Sequence, residues 1–301
     1  MPFFPSCFCP FSFTFSLKRV SHTMQPLLQC GRFGFAPDAM PLVMGILNVT
    51  PDSFSDGGRY QALEFAISRA EEMAADGADI IDIGGETTRP GAPPLPLDEE
   101  LRRVMPALYA LRGLGKPLSV DTYKPEVMVE ALIAGADMIN DVNGFRAPGA
   151  IAAVAGSDCA LCVMHMQSTP ATMQHSPVYT DVVAEVIAFL RGRADAMLAA
   201  GIARNRICVD PGFGFGKTTE HNYALLRATG RIESELGLPV LAGLSRKSMI
   251  GAVTGRPVEQ RLAGSLAGAL AAVALGAKIV RVHDVAATVD ALKVWQAAHI
   301  N

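Results

Sequence analysis

The sequence predicts an α/β fold, a single (β/α)8 TIM barrel. Three observations carry the prediction. From about residue 42 the chain repeats one plan: a short apolar run, a loop rich in Gly, Pro and polar residues, then a longer segment with helical apolar spacing. Eight such units follow one another with no break in composition, which favours a closed parallel barrel over two domains. Every apolar run also ends in polar or ionisable chemistry, and a barrel gathers all strand ends on one face. An open doubly wound sheet is the structural alternative.

Taken in order, the predicted strands are 42–47, 79–83, 117–120, 138–139, 160–164, 207–209, 240–243 and 279–282. Their ends carry Asn48, Glu86, Asp121, Asn140 with Asp141, His165, Asp210, Ser245 with Lys247, and Arg281 with His283. Ordinary turns would supply Ser, Asn and Gly instead of this set of acids, bases and amides. The helices between them are predicted at 61–76, 98–111, 125–134, 148–155, 181–200, 220–236, 258–275 and 286–298. Residues 24–301 are assigned to the barrel, and 1–23 to an N-terminal extension that is disordered or non-native. The extension holds six of the 14 phenylalanines and no acidic residue. Lys18 and Arg19 follow its apolar region, whereas a secretory signal carries its positive charge first.

Composition narrows the function. The chain has 301 residues, 50 % hydrophobic and 18 % charged, with net charge −3, enough to bury a large core and unlike a disordered chain. No dense Lys/Arg block marks a nucleic-acid or membrane partner, so the expected partner is a small molecule. The stretch 262–277 is too short to span a bilayer and reads as a packed helix, its Gly264-x-x-x-Gly268 allowing close helix approach at an interface. Six cysteines without framework spacing fit a reducing cytoplasm. Cys159-x-x-Cys162 reads as part of a buried strand, with metal or redox use as the alternative.

Several loops carry chemistry. After the first strand, Asn48-Val-Thr-Pro-Asp-Ser-Phe-Ser-Asp-Gly-Gly58 reads as a lid, with Phe54 as an apolar face and Asn48 able to ligate a hard cation through its amide oxygen; a plain surface loop is the alternative. The second loop, 84–91, combines glycines, hydroxyls and Arg89, a set suited to an anion. The loop 210–219 nearly imitates a nucleotide-binding P-loop but has three residues, not four, between Gly212 and Gly216-Lys217. Its alternating glycines are read instead as letting backbone approach a planar ligand.

Asp121, Asn140, Asp210 and Lys247 form a separate set on four strand ends: two carboxylates, an amide and an ammonium. Such a set can read a guanidine-like ring edge that alternates donors and acceptors, the ammonium balancing the acids. A structural ion-pair network is the other reading. Arg281 and His283, two residues apart, fall on one side of a strand and suit a phosphate.

Taken together, these motifs resemble the dihydropteroate synthase family of pterin-binding barrels, from about residue 42 to 294. The motifs 47–58, 84–91, Ser119-Val-Asp-Thr122, Ile139-Asn-Asp141, 210–217, Ser245-Arg-Lys-Ser248 and Arg281-Val-His-Asp284 stand in the family's order. Thr87 departs from the more usual Ser but keeps the hydroxyl. The resemblance implies a pterin pocket of Asp121, Asn140, Met164, Asp210, Gly214 and Lys247, and a diphosphate site of Asn48, Thr88, Arg281 and His283 with Mg²⁺ on Asn48. It implies p-aminobenzoate near Phe54, Thr88, Arg89, Pro90, Phe215 and Ser245, catalytic roles for Asp121, Lys247 and Asp56, and a homodimer. The implied reaction condenses 6-hydroxymethyl-7,8-dihydropterin diphosphate with p-aminobenzoate. A pterin-dependent methyl-transferring barrel and a catalytically silent pterin-binding paralogue are the alternatives; the first would lack the 48–58 loop, and the second has no use for a lid.

Overall fold

The computed structural model describes residues 27–36, 41–50, 59–87, 91–168, 173 and 177–299. Eight parallel strands close around a common axis: β3 (Leu42–Asn48), β4 (Ile80–Gly84), β5 (Leu118–Asp121), β6 (Met138–Asp141), β7 (Ala160–Met164), β8 (Ile207–Asp210), β9 (Leu241–Ala242) and β10 (Ile279–Val282). Each pairs with its sequence neighbour, β10 pairs with β3, and a single parallel bridge from Val209 to Val240 completes the ring. The predicted (β/α)8 barrel is the fold.

Five strands run one or two residues beyond their predicted ends. Asp121, Asn140, Asp141 and Asp210 are the last ladder residues of their strands, not loop residues. Apolar periodicity stops at the first polar side chain, but backbone pairing does not: Asp121 is in register with Gly84 and Asn140. This fixes the functional side chains on paired strand backbone instead of on loops.

Alternation along the strands divides the core. Outward residues such as Ile81, Ile83, Val120 and Ile139 pack beneath the helices. Inward residues Leu42, Met44, Ile80, Met138, Ala160, Cys162, Cys208, Leu241 and Ile279 fill one end of the lumen. Nearer the C-terminal ends the inward positions turn polar: Asp82, Ser119, Asn140, Asp210 and Arg281. The C-x-x-C pair is buried in this architecture with free thiols, Cys162 beside Cys208.

A feature absent from the periodicity reading closes the opposite end. β1 (Leu28–Cys30) and β2 (Phe33–Phe35) form an antiparallel hairpin, and Leu28 and Cys30 join the lumen cluster. Asp137 holds it in place, accepting from Arg32 Nε at 3.3 Å and from the Leu118 amide at 3.1 Å. Strands of three residues are too short to show a period of two.

The helices are α1 (Arg59–Ala75), α2 (Leu97–Leu111), α3 (Pro125–Ile133), α4 (Ala150–Ala155), α5 (Val182–Ala199), α6 (Thr219–Arg227), α7 (Thr229–Leu236), α8 (Ser248–Thr254), α9 (Leu262–Ala274) and α10 (Val285–His299). The predicted helix 220–236 is two helices. Thr229 Oγ1 donates to the Leu226 carbonyl at 2.7 Å, a side-chain bond that competes with the helical ladder where the segment breaks. The predicted helix 258–275 starts later, after a short 3₁₀ turn at Val258–Gln260, and α8 was not foreseen. The Gly264 and Gly268 pair serves this chain's own packing: Cβ atoms there would meet Ile250 of α8 at 2.4 Å and Leu244 at 3.6 Å. The close helix approach that this spacing predicts is thus made within the chain, to α8 and the Leu244 side chain.

Candidate active site

Asp82, which the sequence reading passed over, organises the centre of the barrel mouth. It is fully buried, and its two oxygens accept three hydrogen bonds: from Ser119 Oγ at 2.6 Å, Asn140 Nδ2 at 3.2 Å and Arg281 Nε at 2.7 Å. Arg281 Nη2 reaches on to Asp121 Oδ2 at 2.8 Å. Arg281, read as a phosphate contact, is thus first a clamp between two carboxylates. Burial disfavours its charge, but Asp82 and Asp121 outweigh burial and hold the guanidinium above its ordinary pKa. The signal for Asp82 was a charge at an inward position inside the apolar run 79–83, which demands a buried partner. Asp82→Ala is expected to lower unfolding free energy by about 3 kcal/mol by removing one partner of a buried pair. Urea denaturation measures it, and a change near zero would mean that Asp121 alone satisfies Arg281.

Asp121 shows what burial does to a charge at this mouth. Burial pushes its carboxyl up to about 7; Arg281 opposes this, while Asp82, Asp141 and Glu100 add to it. Burial also raises Asp210, against the pull of Lys247. Asp210 Oδ1 accepts the Gly212 amide at 2.6 Å. Lys247 donates to the Phe213 carbonyl and stands 4.8 Å from the centre of the Phe215 ring. Burial draws its ammonium down to about 8, with Asp210 pushing the other way.

Two glycines keep this mouth open. A Cβ at Gly243 would stand 3.7 Å from both Asp210 Oδ2 and Lys247 Nζ, and 3.9 Å from Arg281 Cβ. One at Gly84 would stand 3.6 Å from Asn48 Oδ1 and 3.9 Å from Asp121 Cβ. The structure therefore brings Asn48, Asp121, Asp210, Lys247 and Arg281 around space that side chains at these two positions would fill. Asn140 joins them through Asp82. Beside them Met164 and Phe215 pack with Tyr123, Val142, Met166 and Met173 into an apolar wall.

His283 Nδ1 lies 3.0 Å from Ser245 Oγ, and the same hydroxyl accepts the His283 backbone amide at 3.3 Å. The hydroxyl can donate to Nδ1 or accept from it, and where it donates, Nε2 carries the ring proton and is left as a donor. Burial and the Arg281 charge lower this imidazole to about 4, so at neutral pH it acts as a neutral donor. Ser245, assigned above to p-aminobenzoate, is occupied in orienting it.

Not every polar strand end faces the mouth. Asp141 caps its own loop, accepting the Asn143 and Phe145 amides at 2.6 and 2.7 Å. Glu86 is held by Lys124 at 2.5 Å and Tyr123 at 2.9 Å. His165 turns toward α5, its ring edge-on to Phe189 at 4.9 Å. The glycines of 210–217 also serve the packing of their own loop. Gly212 has φ +73°, and a Cβ there would stand 1.9 Å from the His165 carbonyl oxygen, so the loop packs on its own chain. Phe54, Asp56, Thr88, Arg89 and Pro90 lie outside the described residues.

Comparison with known proteins matches this architecture to the family model "Pterin binding enzyme" over residues 44–283. The chain is 52 % identical to the dihydropteroate synthase of Haemophilus influenzae over 260 residues, 86 % of this chain and 94 % of that one. It is also 52 % identical to that of Neisseria meningitidis serogroup C over 277 residues, 91 % and 98 % of the two chains. Among solved structures, Burkholderia cenocepacia dihydropteroate synthase complexed with 7,8-dihydropteroate superposes with TM-score 0.83 at 58 % identity, covering 90 % of this chain and 95 % of that chain. The Xanthomonas albilineans enzyme with 4-aminobenzoic acid gives 0.82 at 55 % identity, covering 87 % and 94 %.

Proposed function

The chain belongs to the pterin-binding enzymes, in the dihydropteroate synthase family, and from that premise we propose how its mouth works. It is a transferase of folate biosynthesis that joins 6-hydroxymethyl-7,8-dihydropterin diphosphate to p-aminobenzoate, giving 7,8-dihydropteroate and diphosphate. The observation that carries the residue assignments is the convergence of a buried acid, a partly buried acid, an amide, an ammonium and a clamped guanidinium on one end of an otherwise apolar lumen.

Asp121, Asn140, Asp210 and Lys247 hold the pterin, with Met164 and Gly214 beside it. Carboxylates accept from the ring's N–H groups and Lys247 donates to its carbonyl. Arg281, His283 Nε2, Asn48 and Thr88 receive the diphosphate. The C–O bond at the pterin methylene breaks with its electron pair leaving on diphosphate, so positive charge develops at carbon. Asp121 stabilises that charge, and Arg281 and His283 stabilise the charge on the departing oxygens. The arylamine, seated against Phe215 and the residues 54 and 88–90, attacks through its nitrogen lone pair and then releases a proton. No strong base is needed beforehand. Asp56 and Lys247 complete the proposed catalytic set.

Mg²⁺ fits the donors present. Asn48 exposes an amide oxygen at the end of β3, and among the described residues no group of three His, Cys, Asp or Glu forms a protein cage. Mg²⁺ binds with few protein oxygens, completing its shell from water and phosphate. When bound it supplies Lewis-acid stabilisation to the leaving group. Chelation is expected to cut dihydropteroate formation at least about tenfold, with recovery on adding Mg²⁺. Undiminished turnover in excess chelator would remove the metal from the assignment, and absence of dihydropteroate from both substrates would remove the residue roles.

The proposed assembly is a homodimer, with exposed Val253, Val258 and Leu262 around α8 and α9 as apolar surface for it. Sedimentation velocity decides this. No described helix is long and apolar enough to cross a membrane, and the buried free thiols accord with a cytoplasmic location.

A further inference from the structure

We propose that Lys217 is a positioning residue for the arylamine side of the mouth: its buried amino group fastens the glycine loop between β8 and α6 to the end of β7, and so sets where the Phe215 ring stands. This deepens the functional reading above and rests on it.

Lys217 is 3 % exposed. Its Nζ donates to the Phe215 carbonyl at 2.9 Å and the His165 carbonyl at 3.3 Å, and lies 2.9 Å from His165 Nδ1. An ammonium has three N–H donors and no acceptor, so three acceptors saturate it. The imidazole nitrogen facing it must then offer a lone pair, placing the ring proton on Nε2. Burial lowers both groups, Lys217 to about 7 and His165 to about 3, so the imidazole is neutral as this bond requires, and the ammonium that makes all three bonds is the form that predominates below about pH 7.

All three acceptors belong to the loops after β7 and β8, and none to a strand or helix. These loops touch backbone to backbone. Besides the contact at Gly212, a Cβ at Gly216 would stand 2.9 Å from Gln167 Cβ, and Tyr179 Oη donates to the Gly216 carbonyl at 2.8 Å. Between these anchors lies Phe215, its carbonyl on Lys217 and its ring against the methionine-rich wall and the Lys247 ammonium. An unbranched apolar side chain would occupy the interior at lower desolvation cost than a lysine. What only the lysine provides is the three-way tie, and it ends on the backbone of a residue lining the site.

The test is steady-state kinetics of the full chain with both substrates and Mg²⁺. Lys217→Met keeps an unbranched stem and removes all three donors. The expected result is a KM for p-aminobenzoate raised about tenfold or more, while kcat and the KM for the pterin diphosphate each change less than about threefold. His165→Phe keeps a ring on Phe189 and removes the Nδ1 acceptor together with the Nε2 donor. It is expected to move the same KM in the same direction by about two- to threefold. Should Lys217→Met fail to fold, His165→Phe carries the test alone. A p-aminobenzoate KM equal to wild type overturns the assignment. So does an equal loss for both substrates accompanied by a fall in Tm, the signature of a merely structural lysine. Wild-type protein that forms no dihydropteroate overturns the functional reading and this assignment with it, whereas active wild type with unmoved variants overturns this assignment alone.

Discussion

Asp121→Asn is expected to lower kcat by about 10²- to 10³-fold, the scale of losing one preorganised charge aimed at a developing opposite charge. The substitution is nearly isosteric, and an amide oxygen can still accept from Arg281 Nη2, so the barrel should remain folded. What disappears is the negative charge facing the methylene carbon as diphosphate departs. Because that interaction is stronger in the transition state than in the ground state, kcat should fall more than pterin affinity. The pH dependence sharpens the test. With the carboxyl pushed up to about 7 by burial, wild-type kcat/KM should rise as pH increases through about 7, since only the ionised form opposes the cation. The variant should lack that limb. Stability moves the other way: the native state holds this proton more tightly than the unfolded chain, whose carboxyl titrates near 3.8, so its contribution is lost as pH rises through about 7. Wild-type kcat in a folded variant would sink the role of Asp121.

The legibility of this molecule in its sequence follows the range of each signal. The βα repeat is local and recurs eight times, so the barrel and the strand carrying each polar end could be read from spacing. Side-chain direction at a strand end could not. Asn140 and Asp141 are adjacent, yet one meets Asp82 in the lumen and the other caps its loop, as period-two alternation requires once the strand is known to extend that far. His165 turns outward for the same reason. The Arg281 clamp escaped because its partners, Asp82 and Asp121, lie 199 and 160 residues away. No short window contains such a pair. Lys217 is not legible because its loop only resembles a nucleotide-binding pattern, and departing from that pattern says nothing about where its lysine turns.

Lys247→Ala is the second large effect, expected to weaken pterin binding about 100-fold or more, as truncating one member of a buried charged set commonly does. Asp210 is 4 % exposed, and Lys247 is the foremost cation holding its proton affinity down. Without the ammonium, the direct partner left to the carboxylate is the Gly212 amide at 2.6 Å, with Arg281 and Lys217 acting only at a distance. The cheaper response is then to take up a proton, since burying an unpaired charge costs more than neutralising it. A protonated Asp210 offers one fewer acceptor to the N–H groups of the pterin edge, and the donor to the ring carbonyl is lost as well. Opposite pH trends follow for the two proteins. Wild-type affinity for 6-hydroxymethylpterin should decline above about 8, where Lys247 loses its charge. The variant should instead gain affinity as pH rises and the Asp210 carboxylate re-forms, since burial raises that carboxyl and its foremost countercharge is gone. Calorimetric titration across pH reads both trends. Parallel pH dependence in the two proteins would show that Lys247 contributes only its own hydrogen bond, and unchanged affinity at pH 7 would remove it from the pterin site.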